Sequence, residues 1–146
     1  MQDAFISTVD DGDTLNILGT DTRFVCPGER TGQSWSLMEV TLPLDSGAPS
    51  HEHPWDEAYY VLSGEVRFSV GGQRHLLSAG DFLYAPANTV HAFHGHSNDP
   101  ARMLVFDAPA HAEDFFREVD AEVKILPQDL GKMPSIGARH QVKFHP

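Results

Sequence analysis

The feature that most constrains this chain is a succession of short apolar runs, from residue 15 to residue 107, broken every few residues by Gly, Pro, Asn or Asp. Almost none shows the three-or-four spacing of a helix, and several alternate in steps of two. A segment with that period buries one face of an extended strand and wets the other, so such a chain folds by pairing strands. The clearest case is Val66-Arg67-Phe68-Ser69-Val70, then Gly71-Gly72, then Gln73 to Ser78. It reads as strand, two-residue turn with glycines that tolerate positive φ, and returning strand. Val66, Phe68 and Val70 are expected to face inward together. Further strands are read at Ser34 to Leu42, Glu57 to Leu62, Phe82 to Ala85, His91 to His94 and Arg102 to Asp107, with edge strands near Leu15 to Leu18 and Arg23 to Cys26. Turns at Asp45 to Pro49, Gly64, Gly80-Asp81 and Ser97 to Pro100 give a spacing that suits a sandwich or barrel rather than βαβ units.

After Pro109 the period changes. Ala112, Phe115, Phe116 and Val119 fall at i, i+3, i+4 and i+7 with acidic residues between them, which predicts one short amphipathic helix. Leu130, Met133 and Ile136 suggest another helical turn, interrupted by Pro134, and the tail Val142 to Pro146 carries no clear pattern. With 146 residues the chain is expected to form a single domain, residues 1–146, with a barrel core over about 34–108 and a helical extension over about 110–146.

Charge narrows the partners. Ten basic against 21 acidic residues give a net charge of −11, and no run of Lys or Arg builds a basic stripe, so nucleic acid and anionic membrane are set aside. The opening MQDAFISTVD lacks a basic region followed by an apolar stretch, and no segment approaches the roughly 18 apolar residues of a membrane span. The expectation is a cytosolic protein acting on a small molecule. Cys26 is the single cysteine, so no internal disulfide forms, and its neighbours Val25 and Pro27 favour a half-buried structural thiol.

The residues that carry chemistry are His51, His53 and Glu57, all odd-numbered, which point to one side if the extended conformation persists through Pro54 to Asp56. Two imidazoles and a carboxylate form the facial arrangement that suits divalent iron and similar metals and leaves positions open for substrate or oxygen. A third histidine from a neighbouring strand would complete the set. Each residue also has a plainer reading: a His-x-His pair in a polar loop is more often solvated than metal-bound, His91 between Val90 and Ala92 would sit half-buried, and Glu57 alone would be a surface carboxylate. His94 and His96 form a second His-x-His pair, but their even numbers place them opposite His91. His75, His111, His140 and His145 show no convergent spacing.

The frame around these residues decides between the readings. In GAPSHEHPWDEAYYVLSG, starting at Gly47, His51 is followed after one residue by His53, after three more by Glu57 and after six more by Gly64. In GDFLYAPANTVHAFHG, starting at Gly80, Pro86 follows after five residues and His91 five positions later. The two segments resemble the first and second motifs of the cupin superfamily, of the small single-domain type, over roughly half the chain. That resemblance implies an all-β jelly roll, or double-stranded β-helix, with a short C-terminal helical segment here. It also implies His51, His53, Glu57 and His91 as ligands of one divalent transition metal, with Fe, Mn, Ni, Zn and Cu not distinguished by such ligands, and a homodimer made through N-terminal strands. Two positions depart from the pattern: Asn88 stands where the family usually has Gly, and Gly95 where it often has Asn. Asn tolerates the left-handed conformation such a turn demands.

Along the inward register of Glu57 lie Tyr59 and Val61, and Phe93 follows His91, with Met38, Phe68 and Phe82 as further candidate walls. Tyr59, Phe68, Phe93 and Met38 are the expected substrate contacts, against their ordinary role as core. From TLNILGTDTRF through to the Phe115-Phe116 helix the chain looks similar to cupins of the quercetin 2,3-dioxygenase-like group. The resemblance implies a metal-dependent dioxygenase acting on a flavonol or enol, with Glu57 as both ligand and base. Two alternatives stand beside it: a metal-dependent isomerase or hydrolase of a small sugar or keto acid, and a non-enzymatic ligand-binding protein.

Overall fold

The computed structural model describes residues 3–146. Among these the strands run in the order β1 (Thr14–Ile17), β2 (Thr20–Cys26), β3 (Ser36–Leu42), β4 (Gly47–Glu52), β5 (Asp56–Ser63), β6 (Glu65–Val70), β7 (Gln73–Ser78), β8 (Phe82–Ala85), β9 (His91–Gly95) and β10 (Ala101–Ala108). Helices α1 (Ala112–Glu122) and α2 (Met133–Arg139) follow, and the short strand β11 (Lys143–Phe144) comes last. Two sheets result, ordered β1-β2-β3-β10-β5-β8 and β11-β4-β9-β6-β7, and every named strand pair within them is antiparallel. This is the jelly roll that the family resemblance implies, within the sandwich-or-barrel class that the strand spacing suits.

Period-two burial produces it. Along β3 the buried residues are Ser36, Met38, Val40 and Leu42, and along β10 they are Ala101, Met103, Val105 and Asp107. Strand β10 lies between β3 and β5 and pairs with both, and β5, held between β10 and the edge strand β8, presents Glu57, Tyr59 and Val61 to the interior. The opposite sheet supplies Val66 and Phe68 from β6, with Val70 packed against the same core. Fully burying a side chain such as Met103 or Val66 contributes about 1.5–3 kcal/mol, enough in aggregate to hold the two sheets together.

The C-terminal segment is tied to the barrel by one carboxylate. Asp107, buried at the end of β10, accepts a hydrogen bond from the Ser36 hydroxyl and another from the Ala112 amide at 3.0 Å, satisfying one of the free N–H groups at the start of α1. Helix α1 then buries Ala112, Phe115 and Val119, three of the four residues in the apolar stripe read in the sequence. No helix among the described residues is long and apolar enough to cross a membrane.

Four local readings need correction. The chain is already in β4 at Gly47, where a turn through Pro49 was expected, because Gly47 and Ala48 pair with His94 and Phe93 across the sheet. Pro134 does not interrupt the last helix but sits in its first turn, where a missing N–H costs nothing. The patternless tail forms β11, pairing Lys143 with Glu52 and Phe144 with His51. Phe82 is 61% exposed and lines no interior wall, because alternation along the edge strand β8 turns Phe82 and Tyr84 outward and Ala85 inward. Asn88 does adopt a left-handed φ of 68°. At Gly95 the backbone explains the departure from Asn: a Cβ there would lie 2.4 Å from the Pro43 carbonyl oxygen.

Candidate metal centre

His51 comes from β4, His53 from the corner that follows it, Glu57 from β5 and His91 from the start of β9. The strand does not persist from His51 to Glu57 as expected. It stops at Glu52, turns at Pro54 and resumes in the other sheet at Asp56, and the odd-numbered residues still face the interior across this crossing. The corner is pinned from the second motif segment: the Asn88 amide donates to the His53 carbonyl at 2.8 Å and the Ala87 amide to Asp56 Oδ1 at 2.9 Å. Spacing in sequence thus becomes convergence in space.

The imidazoles are oriented by one repeated device. Nδ1 of His51 lies 2.7 Å from the Pro49 carbonyl, Nδ1 of His53 3.1 Å from that of Trp55, and Nδ1 of His91 2.7 Å from that of Thr89. A carbonyl only accepts, so each Nδ1 carries the proton and each Nε2 presents a lone pair. These donor atoms fall within 4.8 Å of one another. Nε2 of His53 and of His91 are buried and make no hydrogen bond, an arrangement that leaves lone pairs unsatisfied unless a cation takes them. The three histidines are therefore a fitting donor set for a metal ion, with coordination positions left over.

Glu57 stands beside this trio rather than among it. Its Oε1 is 3.1 Å from His53 Nε2 and its Oε2 3.6 Å from His91 Nε2, close enough for electrostatic attraction but without hydrogen-bond alignment. The carboxylate accepts hydrogen bonds from the Tyr59 hydroxyl and, at 3.3 Å, from the Trp55 indole. Burial raises the Glu57 carboxyl, but the two imidazoles outweigh it and hold the group well below the usual carboxylate range. Burial, with the neighbouring His91, pushes His51 down to about 4, so its imidazole is neutral at physiological pH. His91 moves the other way: burial opposes its protonation, and the facing Glu57 carboxylate more than compensates.

An apolar cavity of about 60 Å³ opens beside His51 and Glu57. Of the expected contacts, Met38, Tyr59 and Phe93 line it. Phe68 does not. It is 2% exposed and packs behind Tyr59 and Phe93, with ring centroids 5.1 and 5.9 Å away, so its role is core. His94 and His96 face the outer surface around Arg67, and among the described residues only His51, His53 and His91 form a metal-capable group. Cys26 is half-buried, and desolvation raises its thiol, as suits a structural residue.

Trp55 is the site residue that spacing alone did not single out, although it lies between His53 and Glu57 in the chain. The other omission is the outer wall of the cavity, where Phe115, Phe116, Met133 and Phe144 come from the C-terminal segment. The helical stripe of Phe115 and Phe116 was visible in the sequence, but not what it covers.

The sequence profile described as Cupin domain matches residues 38–107. The chain is 36% identical over 75 residues to an uncharacterized protein of Streptomyces coelicolor, an alignment covering 49% of this chain and 71% of that one. It is 31% identical over 96 residues to the quercetin 2,3-dioxygenase of Bacillus subtilis, covering 65% of this chain and 28% of that enzyme. Among solved structures, an RmlC-like cupin from Shewanella frigidimarina superposes with a TM-score of 0.67 at 20% identity, over 78% of this chain and 97% of the other.

Proposed function

The chain belongs to the cupin family, and from that premise we propose that it binds one divalent transition metal through His51, His53 and His91, with Glu57 as fourth ligand, to dioxygenate a small enol- or flavonol-type molecule. The observation that carries the metal is the set of three Nε2 lone pairs turned inward, two of them buried without a hydrogen bond. The likeness to quercetin 2,3-dioxygenase supports the reaction class, over a segment that spans 28% of that enzyme. When bound, the metal supplies acidification of a coordinated hydroxyl. Glu57 would take that proton, and what supports this is its buried carboxylate lying against the imidazoles, 3.1 Å from His53 Nε2. Tyr59, fully buried and donating to Glu57, holds the carboxylate in orientation, and the apolar cavity excludes water from it.

Oxygen uptake with a panel of enols, catechols and flavonols, on protein loaded in turn with iron, manganese and nickel, tests this reading. Uptake that is lost in Glu57→Gln supports it, and no uptake with any substrate and metal sinks it. The Tyr59–Glu57 hydrogen bond favours one second reading, a metal-dependent isomerase that moves a proton without oxygen. Anaerobic turnover of a hydroxy-ketone in the absence of oxygen uptake would select it.

We also propose a cytosolic homodimer. What supports association is an exposed aromatic face on the outer side of the six-stranded sheet, where Tyr60, Phe82, Tyr84 and Phe106 are each at least 40% exposed. That face lies over β10, β5 and β8, away from the N-terminal strands. Light scattering on wild type and Phe82→Glu decides it: a dimer dissociated by the substitution supports the face, and a wild-type monomer refutes the dimer.

A further inference from the structure

The cavity beside the imidazoles is finished by the C-terminal segment, not by the barrel. Met38, Tyr59 and Phe93 form its inner wall, and Phe115, Phe116, Met133 and Phe144 its outer one. Strand β11 lies along β4 so that Phe144 pairs with His51 itself, the two rings 6.2 Å apart. The strap is fastened on both sides of that contact. The His145 amide donates to the Ser50 carbonyl at 2.9 Å, its Nε2 lies 2.8 Å from Glu52 Oε2, and the Val142 amide donates to the Gly137 carbonyl at 2.8 Å.

The resulting space is small and nearly free of charge. A water-sized position takes roughly 10–15 Å³ by the same measure, and an apolar cavity of roughly 150 Å³ accommodates benzene. The volume here is about 60 Å³, and the one charged carboxylate on its lining is Glu57. A ligand with its own ionised substituent would find no partner for it, and burying an unpaired charge is costly. One aromatic ring already exceeds the space wholly enclosed by these walls, and a three-ring flavonol exceeds it by far more.

Building on the metal site proposed above, we infer that the C-terminal segment sets the specificity of this centre. Phe116 and Phe144 favour compact, uncharged enol-type ligands over three-ring flavonols, which narrows the reading above to its enol half.

The test uses the full chain loaded with zinc, which does not turn the ligand over, and two probes that share an enolone chelating head. Tropolone has a single ring, and 3-hydroxyflavone has three. The affinity ratio of tropolone to 3-hydroxyflavone should fall by about tenfold or more from wild type to Phe116→Ala/Phe144→Ala, and should stay near the wild-type value in Phe116→Leu/Phe144→Leu. If the double alanine variant does not fold, by circular dichroism, the two single alanine variants are read in the same way. An unchanged ratio overturns the inference. A second arm needs no metal: Nile red, an uncharged multi-ring dye, should fluoresce more with the alanine variants than with wild type, whose exposed Tyr60–Phe82–Tyr84–Phe106 face sets the common baseline. Dye binding to wild type as strong as to the variants also overturns the wall. Absence of zinc uptake in wild type would instead sink the metal reading, and the dye would still decide the wall.

Discussion

Trp55 lies flat against His53, with ring centroids 4.0 Å apart and planes within 8° of parallel, while its indole nitrogen donates to Glu57 Oε1 at 3.3 Å. One side chain, 2% exposed, thus orients an imidazole by stacking and a carboxylate by hydrogen bonding. Trp55→Phe keeps the stack and removes the N–H. Loss of such an outer partner typically weakens metal binding by about 10–100-fold, and that range is expected here. The chain has two tryptophans, and Trp35 is 40% exposed on the outer surface. Copper or nickel should therefore quench tryptophan emission in wild type and quench it far less in Trp55→Phe. Equal affinity and equal quenching would remove Trp55 from the site.

Asp107 couples the barrel to α1 and makes stability depend on pH. Burial pushes its carboxyl from the ordinary 3.8 up to about 6, against the hydrogen bonds from Ser36 and Ala112 that favour ionisation. The folded state then holds this proton more tightly than the unfolded chain does. The group's stabilising contribution is full below about pH 4 and is lost as pH rises through about 6, a change of about 3 kcal/mol. Asp107→Asn removes the titration, so urea midpoints of wild type should fall relative to the variant between those two pH values. Parallel profiles would contradict the shift.

Gly95 closes the second histidine motif where the chain has no room for a side chain. A Cβ would meet the Pro43 and Leu42 carbonyl oxygens at 2.4 and 2.8 Å. Gly95→Ala is expected to lose about 1–3 kcal/mol in chemical denaturation, since both contacts are backbone and neither yields cheaply. A loss below about 0.5 kcal/mol, within the range of a neutral surface change, would show that the crossing relaxes freely.

Where local chemistry decides the structure, the sequence was legible. Alternation at Val66, Phe68 and Val70 and the Gly71-Gly72 turn, with φ of 55° and 83°, are readable from neighbours alone. So are the odd-numbered His51, His53 and Glu57, whose shared face survives the bend at Pro54. What long-range pairing decides was not legible. Strand β4 begins at Gly47 only because β9 lies beside it, and β11 exists only because β4 offers a free edge. Trp55 reads as an ordinary aromatic until His53 and Glu57 are folded around it, and Phe68 and Tyr59 look alike until one proves to stand behind the other.

Metal content bears on the central claim most directly. Protein purified without chelators, and then dialysed against a limiting mixture of divalent metals, should carry about one transition-metal ion per chain, as one convergent set of three imidazoles implies. A folded His51→Ala/His53→Ala variant, treated alike, should carry almost none. Equal metal in the two proteins would contradict the account.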